Sequence, residues 1–178
     1  MSHVVIDTNV LLVANGSHEG AAAECVLHCV NELQKIRTQC VVVLDDGWKI
    51  LHEYQHKTHS NQPKGVGDVF LKWLLQNKHN RQRVELVAIT ETCQDTFAEF
   101  PVPELQSRFD PADRKFAAVA NAHPAKPPVL QAADCKWLDW WPDLHASGIE
   151  VNFLCRDDVC HFYKKKFPKK SLPKLPDE

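Results

Sequence analysis

The chain has 178 residues and a mass of 20.3 kDa, with 44% hydrophobic and 25% charged residues. Those proportions fit one soluble globular domain and exclude a collagen-like fibre, a coiled coil or disorder throughout. The net charge of −2 is unevenly divided: residues 161–178 carry six Lys against Asp177 and Glu178, a net +4, which leaves −6 on the rest. No apolar run approaches the ~20 residues of a membrane helix. The opening MSHVVIDTN lacks the basic region and the long apolar stretch of a secretory signal. A cytoplasmic protein without membrane association is expected.

In chain order, Val4-Val5-Ile6 reads as a short buried strand. Residues 17–37 follow with an apolar stripe, Ala22, Cys25, Val26, Cys29, Val30, Leu33 and Ile36, which predicts a helix with Ser17 as its N-cap. Cys40 to Leu44 predicts a second buried strand, and Asp45 or Asp46 a cap for a helix through Trp48, Ile50, Leu51 and Tyr54. His56–Gly67, broken by Pro63, Gly65 and Gly67, predicts a loop. A helix over Val69–His79 and a strand over Val84–Ile89 come next. Residues 91–108 have no clear period, and Pro101 and Pro103 mark a loop. Asp110-Pro111 predicts a helix start, with Asp110 as the cap and Pro111 in the first turn. Phe116, Ala117, Val119 and Ala120 form its buried side, and His123-Pro124 its end. Val129–Gln131 predicts a strand, Asp134 the start of a Trp-rich helix stopped by Gly148, and Ile149–Leu154 a last strand. Alternating strands and helices imply an α/β domain with parallel pairing, whose ligands gather at the carboxyl ends of the strands. The domain is expected over residues 1–156, with residues 157–178 as a basic tail.

Seven cysteines, an odd number in a chain of this length, predict buried thiols rather than a disulfide framework. Cys155, Cys160 and His161 form a C-x4-C-H run with metal-ligand chemistry, but no second Cys/His pair has a matching spacing.

The carboxylates carry the functional signal. Asp7 directly follows the first strand, and Asp134 lies three residues beyond Val129–Gln131. Glu53 sits on the helix after the second strand. Asp110 and Asp113, three apart, share a helix face. Each has a structural use as a cap, a turn residue or a solvated side chain. Converging on one cleft, they would repel one another unless divalent cations neutralised them, and oxygen ligands suit Mg2+ or Mn2+.

V-V-I-D-T-N-V-L-L at 4–12 resembles the opening of a PIN domain. F-D-P-A-D-R-K-F-A-A-V-A at 109–120 is similar to the third acidic motif of that family, with Asp113 in the register of the acid and Asp110 as an accessory or cap. L-Q-A-A-D-C-K-W at 130–137 resembles the fourth, with Asp134 and Trp137. Glu53 matches the second acid. The resemblance spans roughly residues 3–154 and implies a three-layer α/β/α PIN-like fold with a mainly parallel sheet. It further implies metal-dependent hydrolysis of single-stranded RNA, with Asp7, Glu53, Asp113 and Asp134 around Mg2+ or Mn2+. Thr8 and Asn9 would orient Asp7 and a metal-bound water, or else simply turn the chain. Lys164, Lys165, Lys166, Lys169 and Lys170 would attract RNA phosphate. Short members of the family resemble toxins of toxin–antitoxin pairs, which would add a cognate antitoxin protein as partner; a homodimer is left open.

Two other readings compete. His52-Glu53-Tyr54-Gln55-His56 matches the zinc signature H-E-x-x-H, but position 59 is His rather than Gly and position 62 is Gln, and Asp7, Asp113 and Asp134 would go unused. A PIN-like module that binds RNA or protein without cutting is the other, and the intact acidic set argues against it.

Overall fold

The computed structural model describes residues 1–177. Five parallel strands form the central sheet: β1 (Ser2–Ile6), β2 (Cys40–Asp45), β3 (Val84–Val87), β6 (Val129–Gln131) and β7 (Val151–Phe153), in the order β3-β2-β1-β6-β7. A two-stranded antiparallel ribbon, β4 (Glu91–Cys93) with β5 (Thr96–Phe97), stands apart from it. Helices α1 (Thr8–Ala14), α2 (Ala23–Gln39), α3 (Lys49–Lys57), α4 (Val66–Asn77), α5 (Pro103–Gln106), α6 (Arg114–Ala122), α7 (Trp137–Ala146) and α8 (Arg156–Lys166) complete a three-layer α/β/α fold, as expected. All of β2 and β6 is buried, the pattern of strands covered on both faces. Among the described residues no helix is long and apolar enough to cross a membrane.

Several boundaries differ from the sequence reading, each for a local reason. The chain enters α1 immediately after β1, because Asp7 caps that helix. Ser17 caps nothing; Gly16 and Gly20, both at positive φ, turn the chain first, and α2 starts at Ala23 with Asp158 accepting from the Ala22 amide at 2.7 Å. Gly67 lies inside α4 rather than in a loop. A Cβ there would stand 2.2 Å from the Leu11 carbonyl oxygen, so α4 crosses α1 where only glycine fits. Residues 91–108 contain the ribbon and α5, held by a stack of Phe109 on Trp140 at 3.9 Å with Phe100 and Trp137 edge-on to Phe109. The terminal strand is shorter than expected, Val151–Phe153.

Two corrections are larger. Cys25 and Cys155, 130 residues apart, form a disulfide, against the expectation that most cysteines are buried thiols and that Cys155 is, if anything, a metal ligand. Part of the expected basic tail is the folded helix α8: Val159 and Tyr163 are buried, and the Tyr163 hydroxyl donates to Asp139 of α7 at 2.6 Å.

Candidate metal centre

The sheet order reverses direction at β1, whose neighbours are β2 on one side and β6 on the other. The crevice beyond the carboxyl ends of β1 and β6 is the topological switch point, where open α/β sheets bind ligands. Asp7 follows β1 into this crevice, and Asp134 follows β6.

Glu53 is brought there by the way α3 is fastened. Asp45, fully buried at the end of β2, accepts from the Lys49 and Ile50 amides at 2.7 and 2.9 Å, which satisfies free N–H groups in the first turn of α3. One residue past Glu53, the buried Tyr54 hydroxyl donates to the Ile6 carbonyl of β1. That bond ties α3 to the strand end beside Asp7. Asp113 arrives from the 3-10 turn Pro111–Asp113 that leads into α6; its carboxylate makes no capping bond and stays available.

Thr8 and Asn9 join the separate segments. The Thr8 hydroxyl donates to Glu53 Oε1 at 2.5 Å, and Asn9 Oδ1 accepts from the Ala133 amide, next to Asp134, at 2.8 Å. The Asn9 amide itself donates to Asp7 Oδ1 at 2.7 Å. A single turn of α1 thus aligns three of the four acids.

The electrostatics agree with this convergence. Burial, then the negative charge of Asp113, raises the Asp7 carboxyl well above its usual range; the Asn9 bond opposes this, while Asp134 and Glu53 add to it. Asp113 is pushed up to about 7 by burial and by Asp134 and Asp110, with Lys115 opposing. Asp7 and Asp113 therefore feel the other acids through a poorly solvated space. An all-oxygen donor set of this kind fits a hard divalent cation such as Mg2+ or Mn2+ and does not favour a soft metal.

Lys115 is the residue that the sequence reading missed. It is 7% exposed, and its ammonium donates to Glu53 Oε2 and to the Ala112 carbonyl. Its position two residues beyond Asp113 was the available signal: it lies in the first turn of α6, the helix that Asp113 precedes. Lys136 pairs with Asp110. That pair corrects the capping role expected of Asp110, whose side chain bonds no amide of the following turn.

The basic residues divide. Lys165 and Lys166 line a cavity of about 540 Å3 together with Asn9, His18 and Asp134, so the end of α8 reaches the acidic crevice. Lys170 pairs instead with Asp139 at 3.2 Å, and Lys164 and Lys169 are exposed.

The H-E-x-x-H residues do not assemble. His52 and His56 are exposed, and the Glu53 carboxylate is taken by Thr8 and Lys115. Among the described residues, the groups of three ligand-type side chains with donor atoms within 4.8 Å of one another are His3, Glu85 and His123, and Cys25, Cys29 and Cys155. Comparison of the chain with protein-family models, with curated proteins and with solved structures found no match.

Proposed function

We propose that the protein is a metal-dependent endoribonuclease of the PIN type, acting on single-stranded RNA. What supports this reading is the repulsion at Asp7 and Asp113: burial raises both carboxyls, and the charges of Asp134 and Glu53 push both further up, although the four carboxylates do not gather within 4.8 Å of one another. Four acids delivered by four different elements to one crevice are costly without a cation to neutralise them. A bound Mg2+ or Mn2+ would supply an acidified water and charge neutralisation of the scissile phosphate. Asp7, Asp113, Asp134 and Glu53 would hold it, and Thr8 and Asn9 would keep Glu53 and Asp7 aimed. Lys165 and Lys166 would draw the RNA backbone across the crevice, and Lys136 would keep Asp110 turned away from the ion.

Incubation of the purified chain with a labelled single-stranded RNA in Mg2+ or Mn2+ tests the reading. Cleavage that disappears with chelator and in Asp7→Asn supports it; cleavage that is indifferent to both refutes it. A toxin role with an antitoxin partner is proposed on the family resemblance, and co-expression with the product of the adjoining gene checks it: a stable, inactive complex is expected.

The Lys115–Glu53 pair favours a second reading, a PIN-like module that binds RNA without cutting it, because an ammonium already offsets part of the acidic charge. Under that reading Asp7→Asn leaves RNA affinity and every activity unchanged, and Mn2+ has no effect on thermal stability.

A further inference from the structure

Cys25 and Cys29 are four residues apart on α2, so their side chains share one face. That face meets Cys155 at the junction of β7 and α8. All three are buried, and their sulfurs lie within 4.8 Å of one another. Cys29 Sγ is 3.8 Å from Cys155 Sγ. Two thiolates held at about 2.3 Å from a tetrahedral zinc ion stand about 3.8 Å apart. Beside Cys25 and Cys155 lies a cavity of about 330 Å3, which gives a water room to complete the coordination.

We propose that Cys25, Cys29 and Cys155 form a thiolate site for a soft divalent metal, with zinc as the expected ion, and that the Cys25–Cys155 disulfide is the oxidised, metal-free form of the same site. Three sulfurs select Zn2+ over the Mg2+ or Mn2+ expected at the carboxylates. The interconversion balances with a peroxide as the oxidant. The thiolates of Cys25 and Cys155 together give two electrons, hydrogen peroxide and three protons are consumed, and two waters are formed. The disulfide, the Cys29 thiol and free Zn2+ are left. Either form fastens α2 to the start of α8, the helix that carries Lys165 and Lys166 to the acidic crevice.

The other assembled group, His3, Glu85 and His123, does not make a comparable site. His123 Nδ1 accepts from the Ala125 amide at 3.1 Å, which leaves the proton on Nε2, the atom that faces Glu85 Oε1 at 3.3 Å. A nitrogen carrying its proton is not a metal ligand.

The test uses the full chain, reduced and metal-free under anaerobic conditions, titrated with Co2+ and then with Zn2+. One thiolate-bound Co2+ per chain is expected, counted by a sulfur-to-cobalt charge-transfer band in the near ultraviolet that Zn2+ abolishes. Cys29→Ser, which leaves the other two thiolates in place, should lose about a third of the band's intensity per bound Co2+ and weaken Zn2+ binding by at least about tenfold, the least that follows even the removal of a group that only supports a ligand. Asp7→Asn and Cys93→Ser should retain both, which separates this site from the acidic one. Peroxide should release the zinc, with Cys25–Cys155 as the disulfide found by peptide mapping. Because Cys155→Ser removes a structural crosslink as well, the rise in melting temperature that Zn2+ gives the reduced, unmutated chain, smaller in Cys29→Ser and kept in Asp7→Asn, serves as the second measurement. A reduced chain with no thiolate–cobalt band, a band and a Zn2+ affinity both undiminished in Cys29→Ser, or a reduced chain that zinc does not stabilise against heat overturns the proposal.

Discussion

Among single residues, Asp7 performs two tasks with one carboxylate. Oδ1 accepts from the Asn9 amide and caps α1, while the group as a whole sits 4% exposed among three other acids. Asn keeps a cap acceptor but not the charge. Asp7→Asn is therefore expected to fold, to stabilise the metal-free chain by on the order of 1 kcal/mol through relief of repulsion, and to abolish RNA cleavage. Urea denaturation in chelator and a cleavage assay check the two halves. Asp113 and Asp110 are told apart by their partners. Asp113 bonds no backbone amide and faces the other acids, whereas Asp110 is held by Lys136. Cleavage should be lost in Asp113→Asn and largely kept in Asp110→Asn. The reverse ranking would move the third acid to Asp110.

Among the elements, the loop from Thr58 to Gly65 is held by one buried carboxylate. Asp68 accepts from the His59 and Lys64 amides, both at 2.9 Å, and from the Asn15 side chain at 2.8 Å. Burial alone would raise its pKa; these bonds, with one from the Gly65 amide, outweigh it and hold the carboxyl below its ordinary value. A lowered folded value stabilises above the unfolded pKa of about 3.9 and is lost as pH falls through the folded one. Asp68→Asn should cost on the order of 1–3 kcal/mol at neutral pH and flatten the acid limb of the stability profile below about pH 4. Denaturant titrations across that range measure both. Gly67→Ala should cost about 1–3 kcal/mol by overpacking α4 on α1, read from the same titrations.

Helix α8 carries the remaining expectation for an element. Lys165 and Lys166 line the cavity beside Asp134, so replacing both with Gln should make RNA binding in Ca2+ less salt-dependent, by a log-log slope of about 0.7 for each phosphate that a lysine had neutralised. Maximal cleavage at saturating RNA should hardly change. An unchanged slope would mean that neither lysine touches phosphate.

Across the whole molecule, the acids come from the ends of β1 and β6 and from the starts or bodies of α3 and α6, so their repulsion acts on the entire fold. A cation at the centre should raise the melting temperature of the entire domain. At a concentration about a hundred times its dissociation constant, a ligand that binds only the folded state adds about 2.7 kcal/mol. A thermal scan with Mn2+ and with chelator should show that shift in the unmutated chain and not in Asp7→Asn. Chelator has no such effect on a fold held by the Lys115–Glu53 pair alone.

Features that depend on neighbours along the chain were legible in the amino-acid order. Short β-branched runs marked β1 and β2, the three- and four-residue stripes marked the bodies of α2 and α6, and Gly148, at positive φ, ended α7 as expected. Because parallel strands place their carboxyl ends on one edge, Asp7 and Asp134 could be placed there from the order of elements, whereas Glu53 and Asp113 were singled out by the resemblance to PIN motifs. Folding settled the features that join residues far apart in the chain. Asp110 pairs with Lys136 instead of capping its own helix, since a charged ammonium binds it more strongly than a backbone amide does. Gly67 is required by the carbonyl of Leu11, on a helix far earlier in the chain, not by a turn. Lys115 reads as a solvated charge until α3 brings Glu53 against it. Cys25 and Cys29 read as core thiols until the last strand delivers Cys155 to them, 130 residues on from Cys25. Local chemistry is written in adjacent letters; pairing, burial and ligand geometry exist only once the sheet has closed the distances between them.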